Sequence, residues 1–239
     1  MSGTNNFSYI RYILAWAIHL FTALGAVFGF LAIIAISRHE WLLAFVWMAV
    51  TVFIDSIDGI LARAFKVQEV LPNFDGALLD NIVDYFTYVI VPASFLYETH
   101  SVPYKLNLLS AILITLSSAY QFCQSEAKTD NHWFKGFPSY WNIVVLYIFL
   151  LDLPEEINFL IILVLTILVF IPIRYLYPSR AEQYRSINLF LVFIWALLIV
   201  ISLCTYPNHY FYIYLSLIYV VYYFGYSIYW TIRLNRVRL

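Results

Sequence analysis

The sequence predicts an all-α fold, a polytopic membrane bundle of about eight transmembrane helices with both termini cytoplasmic. Three observations carry that prediction. Hydrophobic residues make up 63% of the 239-residue chain and charged residues only 11%, and mean hydropathy is +0.80, well outside the balance of soluble domains. The apolar residues form continuous runs rather than the short alternating segments of membrane strands. All basic residues except Arg38 and Lys105 fall on one side of an eight-span arrangement, a strong positive-inside bias.

Taken in order, runs long enough to cross about 30 Å of hydrocarbon fall at 12–36, 41–58, 75–97, 104–123, 139–152, 157–177, 186–204 and 210–232. Tyr9 and Tyr12 open the first, Trp41 the second and Tyr104 the fourth, as interfacial aromatics do. The fifth is short and bracketed by Pro138 and Pro154, which points to a tilted or partly re-entrant segment. The last ends in RLNRVRL, a basic tail suited to anionic lipid heads. With no linker or low-complexity tract, residues 1–239 read as a single integral membrane domain. The N-terminal stretch has no small-residue cleavage site and does not read as a signal peptide.

Several function classes drop out early. Thirteen basic residues against fourteen acidic ones lack the basic excess of a nucleic-acid binder. Cys123 and Cys204 lie in different apolar runs with no Cys/His cluster, so neither a disulfide framework nor a zinc site is expected.

The stretch from Asp55 to Asp84 is the exception to this lipid-suited pattern. It reads D-S-I-D-G-I-L-A-R, then twelve residues, then G-A-L-L-D-N-I-V-D. Each unpaired charge beside a membrane span costs several kcal/mol. On helices, residues three and four apart share a face. Asp55, Asp58, Gly59, Ala62 and Arg63 therefore line one stripe of the second span, and Gly76, Asp80 and Asp84 one stripe of the third. Carboxylates brought together in this way need cations, and hard divalent ions prefer their oxygens. A binuclear manganese or magnesium site is expected. Gly59, Ala62 and Gly76 leave room for a ligand beside the backbone, and Arg63 is the side chain that matches phosphate. Metal, phosphate and a spare carboxylate together suggest phosphoryl-type transfer. Glu69 and Asp75, outside the stripes, read as solvated loop residues.

The pattern D-x-x-D-G-x-x-A-R…G-x-x-x-D-x-x-x-D resembles the signature of the CDP-alcohol phosphatidyltransferase family, with all eight defining positions present. The twelve residues between Arg63 and Gly76 make a longer gap than is usual and resemble the bacterial branch that makes phosphatidylcholine by joining free choline to CDP-diacylglycerol, with release of CMP. YQFCQSEAKTDNHWFKGFPSYWN (Tyr120–Asn142) is similar to the acceptor-side segment of that branch. H-x-x-T-x-x-G (His19, Thr22, Gly25) resembles the N-x-x-T-x-x-G of the family's first span, with His19 in place of Asn. The resemblance implies metal binding by Asp55, Asp58 and Asp80, with a contribution from Asp84. It also makes Asp84 the general base toward the acceptor hydroxyl, and Gly59, Ala62, Arg63, Gly76 and Thr22 the lining of a cytidine diphosphate pocket. It further implies a multi-pass enzyme of the bacterial inner membrane with its site on the cytoplasmic side, and a homodimer.

Choline has no N–H to donate, so its recognition relies on aromatic faces and a nearby anion. Tyr120, Trp133 and Tyr140, with Glu126 or Asp130, supply such groups in one segment. Two alternatives stay open from sequence. The acceptor could be serine or inositol, which calls for a different pocket, or the buried carboxylates could form the ion path of a cation transporter. A transporter site would lie near the midplane between internal repeats, and the sequence shows none.

Overall fold

The computed structural model describes residues 9–124, 133–176 and 185–236 of the chain. Glu126 and Asp130, proposed from sequence to face the acceptor, lie outside the described residues. The helices group into two compact units, Met1–Glu98 and Thr99–Leu239. Among the described residues, five helices are long and apolar enough to cross a membrane, and the chain is nearly all-α, as the sequence predicts.

In the first unit, α1 (Tyr9–Ser37) buries Ala15, Ile18, His19, Thr22, Gly25, Gly29 and Ala32, residues three or four apart. They form one mostly small-residue face, against which α2 (Trp41–Ala64) and α4 (Gly76–Tyr85) lie. The close approach needs the glycines. A Cβ at Gly25 would stand 2.7 Å from Val83 Cγ1, and one at Gly29 would stand 2.8 Å from Phe86 Cε1. Small residues are how helices approach one another in lipid, where burial of apolar surface gives no drive toward association.

The second span expected from sequence runs further than residue 58. α2 stays helical to Ala64, so Asp55 through Arg63 do share a helical stripe. The twelve-residue gap is folded: Lys66 takes a left-handed turn (φ 50°) into the short helix α3 (Val67–Val70). Val67, Val70 and Leu71 are buried with Ala15 and Ile18 of α1, and Leu61, Ala62 and Phe74 pack against the cluster. Glu69 and Asp75 are exposed, as expected, but each has a partner. Glu69 pairs with Lys66 at 3.3 Å, and the Asp75 carboxylate accepts from Leu78 N at 2.9 Å, capping α4. The third expected span continues as α4, a π-helical turn (Phe86–Ile90) and α5 (Val91–Thr99).

The second unit holds α6 (Tyr104–Cys123), α7 (Trp141–Leu151), α8 (Glu155–Phe170), α9 (Arg185–Cys204) and α10 (Tyr210–Arg236). The predicted fifth and sixth spans are shorter than expected, with 11 residues in α7 and 16 in α8. α8 stops because Ile171 precedes Pro172 and is extended, with ψ 125°. In place of more helix, β1 (Trp133–Lys135) and β2 (Arg174–Leu176) pair antiparallel, Phe134 opposite Tyr175. This ribbon is not among the elements that the sequence predicts. Hydroxyls of α10 dock it: Arg174 N donates to Thr231 Oγ1 at 2.8 Å and Leu176 N to Ser227 Oγ at 3.3 Å.

Candidate active site: a carboxylate cluster on two helices

The two acidic stripes face each other. Asp55 of α2 and Asp80 and Asp84 of α4 each offer a carboxylate oxygen, and these oxygens lie within 4.8 Å of one another. All three residues are half-buried. Three hard oxygen donors at such separations, on two helices that fix their direction, fit a divalent cation. The donor set holds no Cys or His, which favours magnesium or manganese over zinc.

Asp58 sits one turn further along α2 and is buried, with 5% exposure. It is not one of the three converging acids. The Thr22 side chain and the Gly59 backbone lie beside its carboxylate, which is within electrostatic reach of Asp55 and Arg63; the Thr22 hydroxyl donates to the Ile18 carbonyl at 3.4 Å. Thr22, foreseen as a pocket residue, is thus a neighbour of the one buried acid of the stripe.

Gly59, Ala62, Arg63 and Gly76 fall where the spacing puts them, yet the space beside them is partly filled. Arg63 Nη1 lies 3.1 Å from where a Gly59 Cβ would stand, so the exposed guanidinium folds back over the stripe. His19 Cε1 lies 2.5 Å from the corresponding point at Gly76. The absent side chain of Gly76 therefore makes room for an imidazole, which also meets Phe74 at 4.4 Å between ring centroids. Ala62 packs against the apolar cluster that α3 forms with Ala15 and Ile18 of α1. Sequence reasoning missed Tyr88, whose hydroxyl donates to Asp55 Oδ2 at 2.6 Å. Its place four residues after Asp84 was the available signal.

The aromatic acceptor candidates belong to the second unit. Tyr120 ends the exposed side of α6 and meets Phe170 at 4.9 Å. Trp133 stacks on Tyr226 at 6.2 Å and lies 6.0 Å from Trp230. Tyr140 meets Phe134 edge to face at 6.1 Å. Each of these rings is engaged with another ring.

Comparison with known proteins follows the same lines. The family model described as CDP-alcohol phosphatidyltransferase matches residues 12–222, a stretch that runs across both units. A phosphatidylcholine synthase of Legionella pneumophila is 46% identical over 177 residues, covering 74% of this chain and 69% of that protein. One from Legionella bozemanae is 42% identical over 192 residues, covering 77% and 88% of the two chains. One from Borreliella burgdorferi is 39% identical over 194 residues, covering 81% and 83%.

Proposed function

Because this chain belongs to the CDP-alcohol phosphatidyltransferase family, we propose that it transfers the phosphatidyl group of CDP-diacylglycerol to free choline and releases CMP. The single observation that carries the choline assignment is the identity of 39–46% over most of the chain with proteins named phosphatidylcholine synthase. The convergence of Asp55, Asp80 and Asp84 supports the chemistry.

In this reading the choline oxygen forms a bond to the phosphorus that carries diacylglycerol, and the bond from that phosphorus to the CMP oxygen breaks. The choline proton passes to Asp84, the general base, and from there to water. Asp55, Asp58, Asp80 and Asp84 would hold manganese or magnesium, as a pair of ions, which would supply positive charge to offset that of the diphosphate and the departing CMP. Arg63 adds a fixed cation for phosphate. Thr22, Gly59, Ala62 and Gly76 border the nucleotide. Tyr120, Trp133, Tyr140 and Glu126 are proposed for the choline side, where aromatic faces suit a quaternary ammonium.

Residues 1–239 act as one functional domain, since the family match spans both units. The positive-inside bias supports an inner-membrane protein with the site and both termini on the cytoplasmic side, and the family resemblance supports a homodimer.

The test supplies purified protein with CDP-diacylglycerol, manganese and labelled choline. Labelled phosphatidylcholine should form with one CMP per product and cease on chelation, and unlabelled serine or inositol should not compete. No phosphatidylcholine from folded protein, or efficient competition by serine or inositol, would remove the choline assignment.

A further inference from the structure

The bond from Tyr88 to Asp55 joins the two helices of the site at 2.6 Å, the length of a charge-assisted bond from a hydroxyl to a carboxylate. Tyr88 lies in the π turn one step beyond Asp84 and is half-buried. The π turn has a local cause. Pro92 has no amide hydrogen, and its ring crowds the carbonyl four residues back, which is that of Tyr88. The regular ladder cannot continue there, and Val91 N–H reaches back five residues to the Phe86 carbonyl instead.

That widening changes where Tyr88 points. A step of four residues in an α-helix overshoots a full turn by about 40°. Asp80, Asp84 and a residue at 88 would therefore move steadily around the helix, away from α2. The wider turn takes back part of the overshoot, and the Tyr88 hydroxyl arrives at α2, on Asp55.

A carboxylate on a half-exposed helix face turns about two side-chain bonds, and a metal needs its oxygen in one direction. We propose that Tyr88 is a positioning residue of the metal centre, its hydroxyl holding the Asp55 carboxylate in the orientation that meets Asp80 and Asp84. The inference rests on the reading of those three acids as a metal site. Groups that orient a metal ligand in this way are worth roughly 10- to 100-fold in metal affinity. A tyrosine that merely joined two helices would change stability and leave affinity alone.

The experiment is a manganese titration followed by electron paramagnetic resonance, on the full chain in detergent and without substrate. Tyr88→Phe removes one oxygen and keeps the ring. It should weaken manganese binding by roughly 10- to 100-fold, a loss of affinity that a purely structural bond between the helices would not produce. In an Asp55→Asn background the same change should cost no further affinity, because the hydroxyl acts through Asp55. Pro92→Ala keeps the Tyr88 side chain but restores the amide hydrogen, and should weaken binding in the same direction. Unmodified manganese affinity in Tyr88→Phe would overturn the inference and leave the metal reading standing. A native protein that takes up no manganese would overturn both.

Discussion

The two units solve the problem of polar groups near lipid in different ways. In Thr99–Leu239, the buried polar residues among those described are Asn, Gln, Ser, Thr and a single His, with no carboxylate, Lys or Arg. Three of them tie helices together, Ser216 to Tyr147 at 2.8 Å, Asn188 to Tyr222 at 2.7 Å and Ser118 to Trp141 at 2.8 Å, and Trp195 donates to Tyr147 at 2.9 Å. In Met1–Glu98, by contrast, Asp58 is buried and Asp55, Asp80 and Asp84 converge beside it. Neutral pairs hold helices together at small cost. Carboxylates are expensive there, so their concentration in one unit marks where the fold trades stability for chemistry.

The largest effect that would break this contrast is at Asp84. Asp84→Asn keeps the shape and removes the base. Turnover of labelled choline should fall by roughly 10²- to 10⁴-fold, with CMP binding largely kept. Turnover near the native rate would take the base role from Asp84.

Next in size are the hydrogen bonds. Thr22→Val removes the hydroxyl beside the buried Asp58 carboxylate, and polar partners of charged groups are worth about 1.5–3 kcal/mol. Tyr147→Phe in the second unit removes bonds between neutral groups, which average about 0.6 kcal/mol in membranes. Thermal unfolding in detergent should therefore rank Thr22→Val as the more damaging. The reverse order would mean that the charged stripe is not the costlier environment.

Effects of opposite sign are expected at two glycines. Gly76→Ala pushes a methyl group into the His19 ring, 2.5 Å away, and should cost about 1–3 kcal/mol. Gly225, on α10, has nothing within 4 Å of an added Cβ, so Gly225→Ala should stabilise the helix by about 0.5–1 kcal/mol. Equal melting shifts of the same sign would remove the distinction between a glycine that seats a ring and one that does not.

Much of this was legible because long apolar runs and a three-and-four spacing each have one simple structural meaning. The stripe from Asp55 to Arg63 needed only that α2 remain helical, and it does, to Ala64. The ribbon was not legible, since W-F-K and R-Y-L are each three residues long, too short to show a period. Tyr88 was hidden among 21 tyrosines. Finding it required knowing that Pro92 widens the helix just where the hydroxyl must reach Asp55. The space beside Gly76 was read as room for a ligand, but the His19 ring approaches from another helix, which no local pattern reveals. Aromatic residues are 20% of the chain, so Trp133 and Tyr140 could not be told from packing residues by type.

The most direct test is anomalous scattering at the manganese edge from the protein bound to manganese and CMP. The account predicts a metal peak within direct coordination distance of carboxylate oxygens from Asp55, Asp80 and Asp84. A peak elsewhere, or acids turned toward separate surroundings with nothing held between them, would contradict it.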